Sequence, residues 1–136
     1  MKPETELWIG GSRSFQDTTR LRQLLEGTAR WWLEQHGRSV EGTLILTGGA
    51  IGIDSMAASP RFQLTDCAGQ FVLPADWIHH GKAAGFIRNK ELARRADLAL
   101  FIWDGASPGT RHSISMARQR GTPTLVLTPG KETLTP

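Results

Sequence analysis

A cluster of glycines, Gly48, Gly49 and Gly52, follows the apolar run 43–46 and precedes Asp54. Glycine allows the main chain to pass close to a bulky anion and to adopt positive φ, and the free N–H groups at a helix start favour negative charge. The spacing therefore predicts a main-chain cradle for a phosphate-bearing ligand, with Asp54 either stabilising the helix start or holding a ligand hydroxyl. A tight strand-to-helix turn without a ligand fits the same residues, because the stretch is neither a GxGxxG motif nor a Walker A loop.

Two further segments offer groups that suit an anion. The turn DGASPGT, 104–110, opens another predicted helix, where Gly109 leaves space and Thr110 offers a hydroxyl beside free helical N–H groups. Thr110 as an ordinary N-cap is the alternative. The segment GGSR, 10–13, ends the first predicted strand with Ser12 and Arg13, and the donor fork of an arginine binds phosphate. A solvated surface arginine is the alternative there.

The stretch ADWIHHGKAAGFIRN, 75–89, has the most unusual polarity of the chain. Trp77 is predicted to stack on a base and Lys82 to meet a phosphate. Arg88 and Asn89 lie about two turns further along the same predicted helix, where Lys82 and Asn89 share a face. Core or interface packing is the alternative interpretation of Trp77.

Residues for catalysis or metal binding are harder to assign. Asp54, Glu91 and Asp104 are the candidate acids, but the sequence shows no pair held at reacting distance. No GxSxG motif is present, so triad hydrolysis is not expected. The adjacent His79 and His80 are taken to have no acidic partner nearby, and no metal is assigned.

Alternating elements must position these groups. The indicated fold is α/β: a single-domain, Rossmann-like three-layer α/β/α architecture with a mainly parallel five-stranded sheet over 1–130 and a loose C-terminal tail at 131–136. Ligands of such sheets lie beyond the C-terminal ends of the strands, which is where the segments above begin. Apolar runs predict strands at 6–11, 43–49, 70–75, 97–103 and 122–129, and periodic stretches predict helices at 17–37, 82–96 and 109–121, with one more from Gly52 that Pro60 ends or kinks.

Composition narrows the class of protein. The 136 residues carry a formal charge of +3 from scattered basic residues, a pattern that suits a small phosphate ligand better than a nucleic-acid arm. Cys67 is the only cysteine, so neither a disulfide framework nor a thiolate metal cluster is expected. No apolar segment has the length of a signal-peptide core or a membrane helix, so we expect a cytoplasmic protein without a membrane partner.

With these motifs assembled, the chain resembles the YspA-type (DUF2493) branch of the SLOG superfamily, whose relatives include the DNA-processing protein DprA and the LOG cytokinin-activating enzymes. The matching stretches are GSRSFQD (11–17), GGAIGID (48–54), ADWIHHGKAAGFIRN (75–89) and FIWDGASPGTRHSISMA (101–117). The resemblance implies a Rossmann-like fold that binds nucleotides or nucleotide-derived ligands. Together with Trp77 as a stacking residue, it implies a pocket lined by Gly11, Ser12, Arg13, Gly48, Gly49, Gly52, Asp54, Asp76, Lys82, Arg88, Asn89, Gly109 and Thr110.

One departure from the resemblance concerns catalysis. LOG phosphoribohydrolases look like PGGxGTxxE, whose glutamate assists cleavage of the N-glycosidic bond. In this chain Ser113 stands where that glutamate would be, and a serine does not act as a carboxylate base. A LOG-type hydrolase is therefore disfavoured, although Glu91 or Asp104 would be the substitutes.

The main functional hypothesis is a binding module that recognises a nucleotide or an ADP-ribose-like ligand as sensor, carrier or sequestering agent, with no required cofactor. The first alternative is an enzyme that hydrolyses an N-glycosidic or phosphate bond of a nucleotide. The second is DprA-like binding of single-stranded DNA, which rests on the resemblance and the charge. Adjacent Trp31 and Trp32 on the first predicted helix cannot face one core equally, so we also expect a homo-oligomer, most simply a dimer.

Overall fold

The computed structural model describes residues 5–11, 18–37, 43–48, 67–128 and 134–135. Helices and strands alternate over most of this length, as the apolar runs predict. The predicted helix that begins at Gly52 lies outside the described residues. In chain order the elements are β1 (Glu6–Gly11), α1 (Thr18–His36), β2 (Thr43–Thr47), β3 (Cys67–Val72), α2 (Trp77–His80), a 3₁₀ turn (Gly81–Ala83), α3 (Ala84–Arg95), β4 (Leu98–Ile102), α4 (Pro108–Gln119), β5 (Thr124–Leu127) and β6 (Leu134–Thr135).

The strands form one sheet in the order β3-β2-β1-β4-β5-β6. Strands β1 to β5 run parallel, and β6 pairs antiparallel with β5. The chain runs from β1 outward to β3 on one side and returns to β4 on the other, which opens a crevice at the C-terminal ends of β1 and β4. The Rossmann-like α/β fold with a mainly parallel sheet is confirmed. The predicted count of five strands is wrong, because β6, inside the segment 131–136 expected to be loose, adds a two-residue strand at the edge.

Alternation along the strands divides the core between the two faces of the sheet. Leu7 and Ile9 of β1 belong to the cluster that α1 covers, where Trp32 is buried. Trp8 belongs to the cluster on the other face, which residues of α3 and α4 complete. There it packs edge to face on Phe101 with ring centroids 5.0 Å apart. Burial on both faces explains why these strands are near-continuous apolar runs.

Helix α1 treats its two adjacent tryptophans differently. Trp32 is buried, whereas Trp31 is partly buried and packs at the margin of the same cluster. The rings are stacked with centroids 6.3 Å apart. The next residue, Leu33, is exposed. A dimer formed through this helix stays a prediction.

Helix α3 is tied to the sheet at its C-terminal end. Arg95 donates to Glu6 Oε1 from Nη2 at 2.6 Å and from Nε at 3.2 Å, and Asp97 Oδ2 accepts from the N–H of Glu6 at 2.9 Å. These contacts join the end of α3 to the start of β1. A helix of 12 residues spans about 18 Å, close to the length of a six-residue strand. The first turns of α3 therefore reach the opposite, C-terminal edge of the sheet.

Candidate functional site

The C-terminal edge of the sheet brings two predicted glycines to one side of the molecule. Gly11 ends β1 beside Ile102, the last residue of β4, and Gly48 follows the end of β2. The main chain after β3 turns close by, since the N–H of Leu73 donates to the carbonyl of Thr47 at 2.9 Å. The other glycine-turn residues predicted for this site lie outside the described residues: Ser12, Arg13, Gly49, Gly52 and Asp54.

Arg88 joins α3 to the end of β2. Its Nη1 donates to the carbonyl oxygen of Gly48 at 2.9 Å, across 40 positions of sequence. Its Nε donates to Oδ1 of Asn89, also at 2.9 Å. Two bonds to fixed acceptors hold the guanidinium plane, and within the described part of the chain Nη2 donates no hydrogen bond. The structure thus joins three predicted residues, Gly48, Arg88 and Asn89. The Arg88 guanidinium keeps one donor for an anionic ligand.

Phe86 and His112 complete this cluster, and neither was selected as a site residue from the sequence. Asn89 is buried, and its Nδ2 lies 3.1 Å from Nδ1 of His112 on α4. The Phe86 ring packs against the imidazole with centroids 4.3 Å apart. Burial lowers the pKa of His112 from its usual 6.5. One signal was available, because Phe86 and Asn89 are three positions apart and share a helix face.

One exposed aromatic ring, Trp77, lies next to Arg88, and a second, Phe86, packs on His112, the partner of Asn89. Trp77 is 60% and Phe86 58% exposed, which excludes core packing for Trp77. The indole and Arg88 Nη2 approach the same point, since a β-carbon at Gly85 would lie 3.6 Å from the indole and 4.0 Å from Nη2. We call Trp77, Phe86 and Arg88 the aromatic surface. It offers flat apolar area and a positive charge within one short segment.

Asp76 caps the short helix α2. Its Oδ1 accepts from the N–H of His79 at 3.1 Å, and its Oδ2 lies 2.7 Å from His79 Nδ1. The main-chain bond, followed by the side-chain bond, lowers the pKa of Asp76 from its usual 3.8. The expectation that the histidine pair has no acidic neighbour is wrong, because the helical turn brings Asp76 against His79. Among the described residues, no group of three His, Cys, Asp or Glu stands close enough to hold a metal ion.

Lys82 does not lie in the same helix as Asn89. It is exposed in the 3₁₀ turn that precedes α3, whereas Asn89 is buried within α3. The prediction of one continuous helix over 82–96 overlooked this turn. At its start the chain passes through Gly81, whose φ of 54° lies in the region that favours glycine.

The turn before α4 is organised by Asp104. Its Oδ1 accepts from the N–H groups of Ala106 and Ser107 at 2.8 and 2.7 Å, and its Oδ2 accepts from the Ser107 hydroxyl at 2.6 Å. Gly105, with φ at 87°, allows the chain to fold back around this carboxylate. Asp104 therefore has a local structural role in the turn.

The first turn of α4 places Gly109 and Thr110 differently from each other. Ser107 holds the N-cap position, so the interpretation of Thr110 as N-cap is wrong. Thr110 is buried, whereas Gly109 is exposed with open space where a β-carbon would stand. Ser113, at the position of the LOG glutamate, donates from Oγ to the Gly109 carbonyl at 3.2 Å.

Two of the three candidate acids are engaged in local contacts. Asp104 accepts the three hydrogen bonds described above, and Glu91 pairs with Arg94 on the surface of α3. The hydrogen bond from Arg94 lowers the pKa of Glu91. A carboxylate with a lowered pKa is ionised at neutral pH and makes a poor general acid. The third candidate, Asp54, lies outside the described residues.

A cationic cavity of about 530 Å³ adjoins Arg88. It lies beside α3, and the end of α4 closes one side of it. The carboxylates of Asp76 and Glu91 also line it, so its four basic residues exceed its acidic ones by two, a balance that attracts anions. The basic residues that line it are Arg88, Lys90, Arg94 and Arg120.

None of the described helices combines the length and the apolar character that crossing a bilayer requires. No family model matches the chain. Gene 61 protein of Mycobacterium phage D29 is 37% identical over 122 residues, which cover 86% of this chain and 91% of that protein. The chain belongs to the Gene 61 protein family. This membership extends over nearly all of both proteins.

The fold of this Gene 61 family member also occurs in a solved structure. DNA processing protein A from Helicobacter pylori, whose structure concerns its single-stranded DNA binding mode, superposes with a TM-score of 0.56 at 20% identity. The match covers 90% of this chain and 64% of that chain, so the Gene 61 family member spans just under two thirds of that neighbour. The likeness is one of fold.

Proposed function

We propose that the chain binds single-stranded DNA at the C-terminal edge of its sheet. The observation that carries the proposal is the aromatic surface, where an exposed indole lies beside an arginine held by Gly48 and Asn89, and a second exposed ring packs on His112. Aromatic rings stack on bases of any identity, and a neighbouring cation neutralises the phosphate that joins them. The shared fold of DNA processing protein A, which has a single-stranded DNA binding mode, supports the proposal.

Two rings favour a strand over a single nucleotide, because a mononucleotide has only one base to stack. The cationic cavity favours it as well, since Lys90 and Arg120 extend the positive charge beyond Arg88 and would meet further phosphates. A strand that follows this path would lie across α3 and reach the end of α4.

A free nucleotide or ADP-ribose-like ligand, held by a sensor, carrier or sequestering module, is the second candidate. It is favoured by Gly11 and Gly48, which lie at one edge of the sheet as phosphate binding requires. The order of the two candidates is the reverse of the sequence-based one, because the exposed aromatic surface and the shared fold of DNA processing protein A support a strand. Among the described residues the candidate acids Glu91 and Asp104 hold local contacts, and neither favours hydrolysis.

We further propose that the Gene 61 family is part of the YspA-type branch of the SLOG superfamily. In this proposal residues 1–130 form one domain and the protein acts in the cytoplasm. The motifs at 11–17, 48–54, 75–89 and 101–117 support the branch assignment. The shared fold of DNA processing protein A supports the superfamily.

Fluorescence anisotropy with a labelled oligothymidylate of about ten nucleotides tests the main proposal. Stacking contributes about 1–3 kcal/mol per base, so Trp77→Ala and Phe86→Ala should each weaken binding roughly 5- to 150-fold. Arg88→Met should weaken binding and lower the magnitude of the salt slope by about 0.7. Leu33→Ala and Arg30→Met, both exposed on α1, are the matched controls and should bind as the unaltered chain does.

Competition distinguishes the two candidates. If a mononucleotide displaces the labelled oligonucleotide when both are present at the same concentration of nucleotide units, the free-nucleotide candidate replaces the single-stranded DNA candidate. Equal affinities of the Trp77, Phe86 and Leu33 variants for oligothymidylate would refute the role of the aromatic surface. Absence of any binding by the unaltered chain would refute the main proposal itself.

A further inference from the structure

A line of hydrogen bonds crosses three elements at the aromatic surface. It runs from the Gly48 carbonyl after β2, through the Arg88 guanidinium and the Asn89 amide on α3, to the His112 imidazole on α4. Asn89 is buried and His112 is half-buried. Of these residues, only Arg88 presents an available charged donor to a ligand.

The direction of each bond in this line follows from chemistry. Arg88 Nε carries a hydrogen under all conditions, so the Asn89 atom that faces it must be the carbonyl oxygen. The other amide atom of Asn89, the NH₂ group, then faces His112 Nδ1. An NH₂ group only donates, so Nδ1 must accept, and the imidazole must be neutral with its hydrogen on Nε2.

We propose that His112 is a positioning residue of the DNA-binding edge. By accepting from Asn89 it fixes the Asn89 amide, which in turn fixes Arg88 against Gly48 with Nη2 directed to a phosphate of the strand. The inference rests on the proposed function and deepens it. It assigns His112 a role that requires no contact with the DNA.

The surroundings of His112 favour the neutral ring. Phe86 covers one side of it, and burial lowers its pKa, so it is uncharged at neutral pH. Among the described residues, Asn89 contacts the imidazole through a hydrogen bond and Phe86 through its ring, and both lie on α3. On α3 the charge joined to this line is Arg88, through Asn89, and the adjacent residue on α4 is Arg111, whose guanidinium lies over Trp103.

Protonation of His112 would reverse the direction of the hydrogen bond between Asn89 and His112. With hydrogens on both ring nitrogens, Nδ1 donates and faces a donor of Asn89. The amide must then rotate to offer its oxygen to His112, which turns its NH₂ group toward Arg88 Nε and breaks that bond. Binding of a phosphate should therefore weaken as the pH falls through the pKa of His112, although protonation adds a positive charge near the site.

Three variants separate this role from a packing role. His112→Asn places an amide oxygen near the position of Nδ1 and does not titrate, so it should keep the affinity of the unaltered chain for oligothymidylate and lose the weakening at low pH. His112→Leu fills the site without an acceptor and should weaken binding roughly three- to tenfold. His36→Asn, exposed at the end of α1 on the opposite face of the sheet, is the control and should change neither affinity nor pH profile.

Imidazole ¹⁵N shifts of the DNA-free protein supply a readout that does not depend on ligand. The inference requires an unprotonated Nδ1 and a protonated Nε2 on His112 at neutral pH. A protonated Nδ1, or His112→Leu binding oligothymidylate as tightly as the unaltered chain, overturns the positioning role while leaving the proposed function intact. If the unaltered chain binds no oligonucleotide at any pH, the proposed function fails and this role fails with it, even where the ¹⁵N shifts match.

Discussion

Replacing Arg95 by methionine is expected to destabilise the fold far more than the same change at Arg94. The two arginines are neighbours near the end of α3 and each pairs with a glutamate. Arg95 pairs with Glu6, whose side chain is 8% exposed, and is itself 25% exposed. Arg94 pairs with Glu91 at 60% and 42% exposure. Burial is therefore the main difference between the pairs.

The magnitudes follow from that difference. Removing one partner of a buried pair costs about 3–5 kcal/mol, because the remaining charge stays out of water. A quarter of Arg95 is already exposed and water can approach Glu6 when the guanidinium is gone, so we expect about 2–3 kcal/mol for Arg95→Met. An exposed pair contributes about 0.2–1 kcal/mol, so Arg94→Met should cost less than about 1 kcal/mol. Methionine keeps the apolar stem of either side chain, which limits the comparison to the charge.

Urea unfolding followed by tryptophan fluorescence measures both losses, with the slope of the transition expected to stay constant. The double variant Glu6→Gln with Arg95→Met should cost less than the sum of the single changes by about 1 kcal/mol or more, since it removes both charges together. Equal losses for Arg94→Met and Arg95→Met, or additive losses in the cycle with Glu6, would refute the argument that the buried pair anchors α3.

Two further outcomes can be checked independently of any ligand. Asp104→Ala should lower the free energy of unfolding by about 1–2 kcal/mol, because three hydrogen bonds before α4 are lost. Asp104→Asn keeps an oxygen for the N–H groups and should cost less. Thermal unfolding measures both losses, and equal losses would contradict the role of Asp104 in the turn. Because the pKa of Asp76 is lowered in the folded protein, its cap on α2 should be intact above pH 3.8 and be lost only as the pH falls through that lowered pKa. A carboxyl titration of Asp76 by NMR with a midpoint at or above 3.8 would contradict the cap.

The order of elements could be predicted from the sequence because strands buried on both faces are continuous apolar runs bounded by turn residues. Four predicted strands overlap β1, β2, β4 and β5 closely, and β3 begins at Cys67, three positions earlier than predicted. The short strand β6 was missed because two residues carry no periodicity. Helix α2 was missed, and the predicted helix at 82–96 included part of the 3₁₀ turn, because segments of three and four residues are too short to show helical periodicity.

The candidate site was predictable only in part. Arg88 and Asn89 were selected from their residue types at a predicted helix, and the structure joins them to Gly48. His112 was not selected, since it is 23 positions from Asn89 and its own helix gives no reason to expect that contact. The exposure of Trp77 was also undecided, because an indole suits a core and a ligand surface equally well.

Short-range patterns are enough to specify the strands, the turns that end them and the edge where ligands of such a sheet bind, because these depend on residues close together along the chain. Packing across the sheet decides the rest. It places α3 beside α4, buries Asn89 against His112 and leaves two rings in solvent, and these outcomes arise from contacts between segments 23 to 40 positions apart. The chemistry of an arginine or a histidine depends on which distant groups surround it, and that is a property of the folded chain.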